Sequence, residues 1–185
     1  YKKLSFFIFL IFKTIFSPHI HIQENPFLEG AIGSVPFDDE GVKVKKRNVV
    51  ESGKVLEYFL SSYSAKRLKM KTTGNAGGSH NLHMFSTLTL PSDNLEQMLS
   101  KLDTGFFVTE LMGQGVNGVT GDYSKGASGY WVEKGKIIYP VNEVTIAGNL
   151  KTMYKNIVAI GADECIRGNK TCGSILIERM TVAGS

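Results

Sequence analysis

The sequence predicts an α+β domain built on a curved, mainly antiparallel β-sheet with two or three short helices. Three observations predict it. Short runs rich in β-branched and aromatic residues follow one another closely, and two pairs of them are joined by hairpin-like turns. One segment, Leu95 to Leu102, carries a clear helical period of apolar residues, with a second, shorter one after Asn149. Between Thr109 and Asn149, glycines at 113, 115, 118, 121, 126, 129, 135 and 148 interrupt the strand-like runs, as bulges and close backbone approaches do in a bent sheet.

At 185 residues and 42% hydrophobic content the chain is large enough for a real core. A net charge of +4 is mildly basic and singles out neither nucleic acid nor membrane as a partner. Cys165 and Cys172 have six residues between them, which is neither a redox CxxC nor a zinc-ribbon spacing. They read as buried or idle thiols of a reducing compartment. The chain starts at Tyr1 without Met, which is the expectation for the C-terminal part of a longer protein. The apolar run Leu4 to Phe12 follows Lys2 and Lys3 as in a signal peptide, but Ile15, Phe16 and Pro18 make a poor cleavage site. Lys13 also ends the run well short of the roughly 20 residues of a membrane span. The expectation is that residues 1–30 hold an apolar core segment packed on a missing upstream domain, that residues 31–185 form the main domain, and that no membrane is involved.

Gln23 to Glu40 contains Pro26, Gly30, Gly33, Pro36 and the triplet Asp38, Asp39, Glu40, and reads as loop ending in a solvated acidic turn. Val42 to Val50 and Val55 to Leu60 read as a hairpin joined by Glu51 to Lys54. Lys43, Lys45 and Arg47 then share one strand face, a solvated edge that resists aggregation. Ser64 is a candidate cap for one helical turn over Ala65 to Leu68, and Gly74, Gly77 and Gly78 form a close-approach loop ending at His80 and Asn81. His80 and His83 stand three apart in a predicted loop, unlike the His pair of a helical zinc site. The Leu95 helix is capped by Ser92 or Asp93 and stopped by Gly105.

Phe106 to Met112 reads as a strand. It leads into Gly113, Gly115 and Gly118, a G-x-G-x-x-G pattern that needs a following helix to bind a dinucleotide. The glycines at 121, 126 and 129 prevent one, so nucleotide binding is not expected. Ala127 to Glu133, the turn Lys134–Gly135 and Lys136 to Tyr139 form a second hairpin ended by Pro140. Val144 to Ala147 is a short strand, Asn149 starts a helix, Ile157 to Ile160 is a strand, Gly161 to Cys172 a polar loop, and Ser174 to Val182 a last strand. No nucleophile elbow, HExxH, carboxylate pair or Cys/His dyad stands out, so no residue is read as catalytic or as a metal ligand. A glycine-lined sheet with Asn117, Asp122 and Ser124 could accept an extended peptide by strand addition, and packing between layers explains the glycines equally well.

VPFDDEGV (Val35 to Val42), LSSYSAKRL (Leu60 to Leu68), TGNAGGSHN (Thr73 to Asn81), the run from Val108 to Leu150 and CGSILIERMTVAG (Cys172 to Gly184) closely resemble the C-terminal region of the TldD/PmbA family of bacterial metallopeptidases, on its TldE (PmbA) side. The resemblance covers the chain from about Pro18 onward. Only Leu4 to Phe12 departs from it, being more apolar than the family leads one to expect.

The resemblance implies a cytoplasmic heterodimer that cleaves unfolded peptides. A TldD-like partner holds zinc in an HExxxH motif, and this subunit, which has no HExxxH, helps enclose the peptide. The expected chemistry of the complex is attack of metal-bound water on a peptide carbonyl. This chain would itself need no cofactor, and His80, Asn81, Gly115, Asn117 and Asp122 are its expected peptide contacts. A regulatory module acting on DNA or on a DNA-handling enzyme such as gyrase, through Lys43 to Arg47 and Lys66 to Lys71, is the alternative. Nucleic acid is not the expected partner.

Overall fold

The structure is a computed structural model that describes residues 10–184. Most of the apolar run predicted at Leu4 to Phe12 lies outside the described residues. In chain order the elements are β1 (Ile20–Glu24), β2 (Arg47–Glu51), β3 (Lys54–Val55), α1 (Ser62–Leu68), β4 (Leu82–Ser86), α2 (Leu95–Leu102), β5 (Gly105–Met112), β6 (Asp122–Glu133), β7 (Lys136–Asn149), α3 (Leu150–Lys155), β8 (Ile157–Ile160), β9 (Cys165–Arg167), β10 (Lys170–Cys172), β11 (Ile175–Ile177) and β12 (Thr181–Ala183). They form two units, residues 10–87 with 164–173, and residues 88–163 with 174–184. The predicted α+β class holds, with one parallel pairing that makes the first sheet mixed.

The first unit is a six-stranded sheet in the order β3-β2-β1-β4-β10-β9. Its core gathers Ile15, Phe16, Ile20, Val44, Val49, Val50, Val55 and Leu60. The β2–β3 turn is two residues, Ser52 and Gly53, both with positive φ (47° and 74°), the backbone that matches the twist of a tight hairpin. The hairpin is shorter than predicted, because residues 42–46 leave the ladder. Helix α1 starts earlier than expected, with Ser61 as its cap accepting from the Ser64 amide at 3.2 Å. His83 sits on β4, where the sequence was read as loop. The predicted polar loop from Gly161 contains a hairpin, β9–β10, whose inner strand runs parallel to β4.

The second unit holds a four-stranded antiparallel sheet, β12-β7-β6-β5, and the pair β11-β8. Met98, Ala127, Val132, Ile146, Leu150, Met153, Ile157 and Ile160 are buried in it. Pro140 does not end a strand: β7 runs on to Asn149, with Pro140 opposite Tyr130. Helix α2 is capped by Asn94, which accepts from the Gln97 amide at 3.0 Å, rather than by Ser92 or Asp93. Its end falls at Asp103 (φ 55°), so Gly105 opens β5 instead of stopping the helix. After Gly118 the chain enters β6, not a helix, which removes the structural requirement for nucleotide binding there. No helix among the described residues is long and apolar enough to cross a membrane.

Candidate functional site

Glu24 ends β1 and pairs in register with Arg47, which begins β2. Arg47 Nε donates to Glu24 Oε2 at 2.6 Å, and the two side chains are 4% and 1% exposed. The remaining guanidinium N–H groups reach Asn75 Oδ1 (2.8 Å), Glu57 Oε2 (2.6 Å) and the Tyr58 carbonyl (3.0 Å). Glu24 Oε1 accepts from Asn75 Nδ2 (2.8 Å) and from the His80 amide (2.7 Å), and Asn75 Nδ2 also donates to the Gly78 carbonyl (3.0 Å). A buried ion pair is tolerated when its other polar atoms are satisfied, and here several of them hold the loop 74–80 through Asn75 and the His80 amide. Arg47 therefore does not join Lys43 and Lys45 on a solvated edge; it points into the protein, while exposed Lys45 pairs with Glu57 at 3.0 Å.

Asp38 clamps the same loop from the other side. Its Oδ2 accepts from the Ala76 amide (2.9 Å), and its Oδ1 from the amides of Glu40 (3.0 Å) and Val42 (2.9 Å). Burial resists the charge, yet these three N–H groups hold the carboxyl below its ordinary value. The acidic triplet is thus not simply a solvated turn, since Asp38 is buried and Glu40 Oε2 accepts from the Ser62 amide at 2.7 Å.

Between these clamps lies a cleft of about 170 Å³. Val35 and Phe37 give it an apolar wall, and Gly77, Gly78, Ser79 and His80 a polar one. Gly77 and Gly78 have φ of 91° and 127°, backbone that other residues rarely adopt, so this stretch of wall is bare backbone. His80 Nε2 lies 2.9 Å from the Gly74 carbonyl, which can only accept, so the ring carries its proton there and Nδ1 is an acceptor when the ring is neutral. The cleft is smaller than the roughly 300–1,000 Å³ of sites for drug-sized ligands.

Among the expected contacts, His80 lines the cleft. Asn81 shapes it from behind: its Nδ2 donates to the Asn25 carbonyl (3.0 Å) and Ser34 Oγ (2.8 Å), and its Oδ1 accepts from the Gly33 amide (2.9 Å). Gly115, Asn117 and Asp122 come together in the second unit. The Ser124 amide donates to the Gly115 carbonyl (2.7 Å), the Asn117 amide to the Asp122 carbonyl (2.8 Å), and Asn117 Oδ1 accepts from the Val119 amide (2.9 Å). The Thr120 hydroxyl and the Asn149 amide both donate to the Asp122 carboxylate and lower its pKa. These three residues close a loop over the start of α3. Sequence reading marked Gly77 and Gly78 as a close-approach loop and Asp38 as part of an acidic turn without counting them among the contacts, and it did not single out Phe37.

Among the described residues no three His, Cys, Asp or Glu side chains gather to hold a metal. In the cleft, Asp38 is committed to backbone amides, which leaves only His80 Nδ1 and the Asp39 carboxylate, short of the three protein ligands of a zinc site.

Residues 1–184 match the family model described as the PmbA/TldA metallopeptidase C-terminal domain. The chain belongs to the PmbA/TldD metallopeptidase family. Within this PmbA/TldD group it is 47% identical over 184 residues to the metalloprotease PmbA of Escherichia coli O157:H7, covering 100% of this chain and 40% of that protein. It is 27% identical over 205 residues to a metalloprotease TldD homologue of Buchnera aphidicola subsp. Schizaphis graminum, covering 100% of this chain and 42% of that one. A crystal structure from Bacteroides thetaiotaomicron, described as a candidate modulator of DNA gyrase, superposes with a TM-score of 0.89 at 30% identity over 98% of this chain and 40% of that one. The chain thus spans about 40% of the length of the PmbA relative.

Proposed function

We propose that this chain is the C-terminal part of a TldE-like subunit of a cytoplasmic, heterodimeric zinc metallopeptidase. It helps enclose an extended, unfolded peptide, while a TldD-like partner supplies the zinc. The observation that carries the reading is the small cleft beside bare glycine backbone, with Phe37 as apolar wall and the His80 imidazole as acceptor. A peptide seated there is held by its main chain and one side chain, which is how unfolded sequences are bound with little selectivity. The higher identity to PmbA than to the TldD homologue supports the metal-free side of the pair. Strand β5, an edge of its sheet, offers a second row of backbone groups to an extended chain.

The test mixes the full-length protein with a TldD-like partner and measures co-purification, zinc content and cleavage of an unfolded peptide. Cleavage only in the mixture is expected. Full activity with stoichiometric zinc in this protein alone overturns the reading.

The alternative, regulation of DNA or of a DNA-handling enzyme, is favoured by the description of the Bacteroides structure. The basic cluster it would use is thinned by the burial of Arg47 and the pairing of Lys45. DNA binding that weakens steeply with salt would support it.

A further inference from the structure

Cys165 and Cys172 were expected to be buried or idle. The structure makes them direct opposites across the β9–β10 hairpin, two positions in from the Arg167–Lys170 pair that closes its turn. Both are thiols, Cys165 exposed and Cys172 half-buried. Directly opposed residues of an antiparallel pair have Cα atoms about 4.5–5.5 Å apart and side chains on one face. That spacing lies within the roughly 4.4–6.8 Å a disulfide spans. Strand β9 is the edge of its sheet, so a small oxidant reaches Cys165 without the sheet opening.

We propose that Cys165 and Cys172 form an oxidative modification site, closing to a cross-strand disulfide on exposure to hydrogen peroxide. The Cys165 thiolate attacks one peroxide oxygen and the O–O bond breaks. The departing hydroxide takes up the proton lost by the thiol and leaves as water, with Cys165 now a sulfenic acid. The Cys172 sulfur then attacks the Cys165 sulfur; the S–S bond forms, the S–O bond breaks, and hydroxide leaves as a second water with the Cys172 proton. Two thiols give up two electrons to one peroxide. The hairpin is tied to the candidate site through its turn: Asn169 donates through Nδ2 to the Ser79 carbonyl, and its own carbonyl accepts from the Leu82 amide at 2.8 Å. The crosslink therefore stiffens the support of the residues that end the cleft loop.

The experiment treats reduced full-length protein with hydrogen peroxide and follows thiol titration, intact mass and a non-reducing tryptic map. Trypsin cuts after Arg167 and Lys170, between the two cysteines, so the crosslink appears as one linked peptide pair. Expected are loss of both thiols, a mass lower by two hydrogens, and full reversal by dithiothreitol. In Cys172→Ser, Cys165 has no partner on its hairpin, and the expected products are higher oxides or an interchain dimer. Hydrogen exchange at Leu82 is expected to slow on oxidation of the unsubstituted protein. The proposal is overturned if that protein keeps both thiols, gains oxygen at each, or forms only interchain disulfides. Unchanged exchange at Leu82 removes the link to the site.

Discussion

Gly129 lies flat against Phe107: a methyl group on Gly129 would stand 1.9 Å from the Phe107 carbonyl oxygen, on the neighbouring strand. Backbone cannot yield as a flexible side chain does, so Gly129→Ala is expected to pry β5 from β6 and lose about 2 kcal/mol or more. Gly115→Ala meets the Ser124 carbonyl at 1.4 Å and should behave alike, whereas Gly118 has nothing within 4 Å. Chemical denaturation of the three variants checks this, with Gly118→Ala expected within about 0.5 kcal/mol of the unsubstituted protein.

Arg47→Ala leaves Glu24 charged, buried and short of its strongest donor. A loss of about 3–5 kcal/mol is expected from denaturant unfolding. Replacing both partners by apolar residues usually restores much of such a loss, but here Glu24 also accepts from Asn75 and the His80 amide. The double variant Glu24→Leu with Arg47→Met is therefore expected to stay at least about 1–3 kcal/mol below the parent, the cost of orphaned buried donors. Full recovery in the double variant would show that the network holds nothing beyond the pair.

Asp38 links stability to pH. Its folded pKa is lower than the ordinary carboxylate value of 3.8, so its contribution is fully present above that value and fades as pH falls below it toward the folded pKa. Asp38→Asn should lower stability at neutral pH and flatten the acid limb of the stability–pH curve. Unfolding midpoints from pH 7 down through the carboxylate range measure it, and parallel limbs for the two proteins would contradict the assignment.

Phe37 is 58% exposed while lining the cleft, so its side chain contributes little to the fold. Phe37→Ala is expected to leave stability within about 0.5 kcal/mol. In the reconstituted complex it should raise KM for an unfolded peptide several-fold with kcat little changed, the mark of lost uniform binding. An unaltered KM would move peptide binding away from the cleft.

Features written in adjacent residues were legible in the sequence. Ser52–Gly53 and Lys134–Gly135 announce their hairpins because the positive φ of such turns is a local demand. The α2 cap slipped by one or two residues because Ser92, Asp93 and Asn94 are all competent, and Asp93 is instead drawn to Lys101 at 2.7 Å. Pro140 misled because β12 reaches only Thr145 to Ala147, which leaves β7 beside Pro140 with one uncovered side where a missing N–H costs little. The inward turn of Arg47 was invisible for a different reason. Lys43, Lys45 and Arg47 look equivalent until a carboxylate from a distant strand is placed beside only one of them. Likewise nothing local tells β10 that its neighbour is β4. Of the expected contacts, His80 reaches the cleft because Glu24 grips its amide, again a long-range fact.

The parallel pairing of Lys170–Cys172 with β4 also sets an order of events during synthesis. A ribosome that has released residues 10–87 has made four of the six strands of that sheet, and β4 waits with one side bare until the intervening unit has emerged. A bare strand edge is a template for mispairing with other chains. The side of β4 that β10 covers is thus without its partner strand while the second unit is being translated, and the β9–β10 hairpin acts as a late seal on the first.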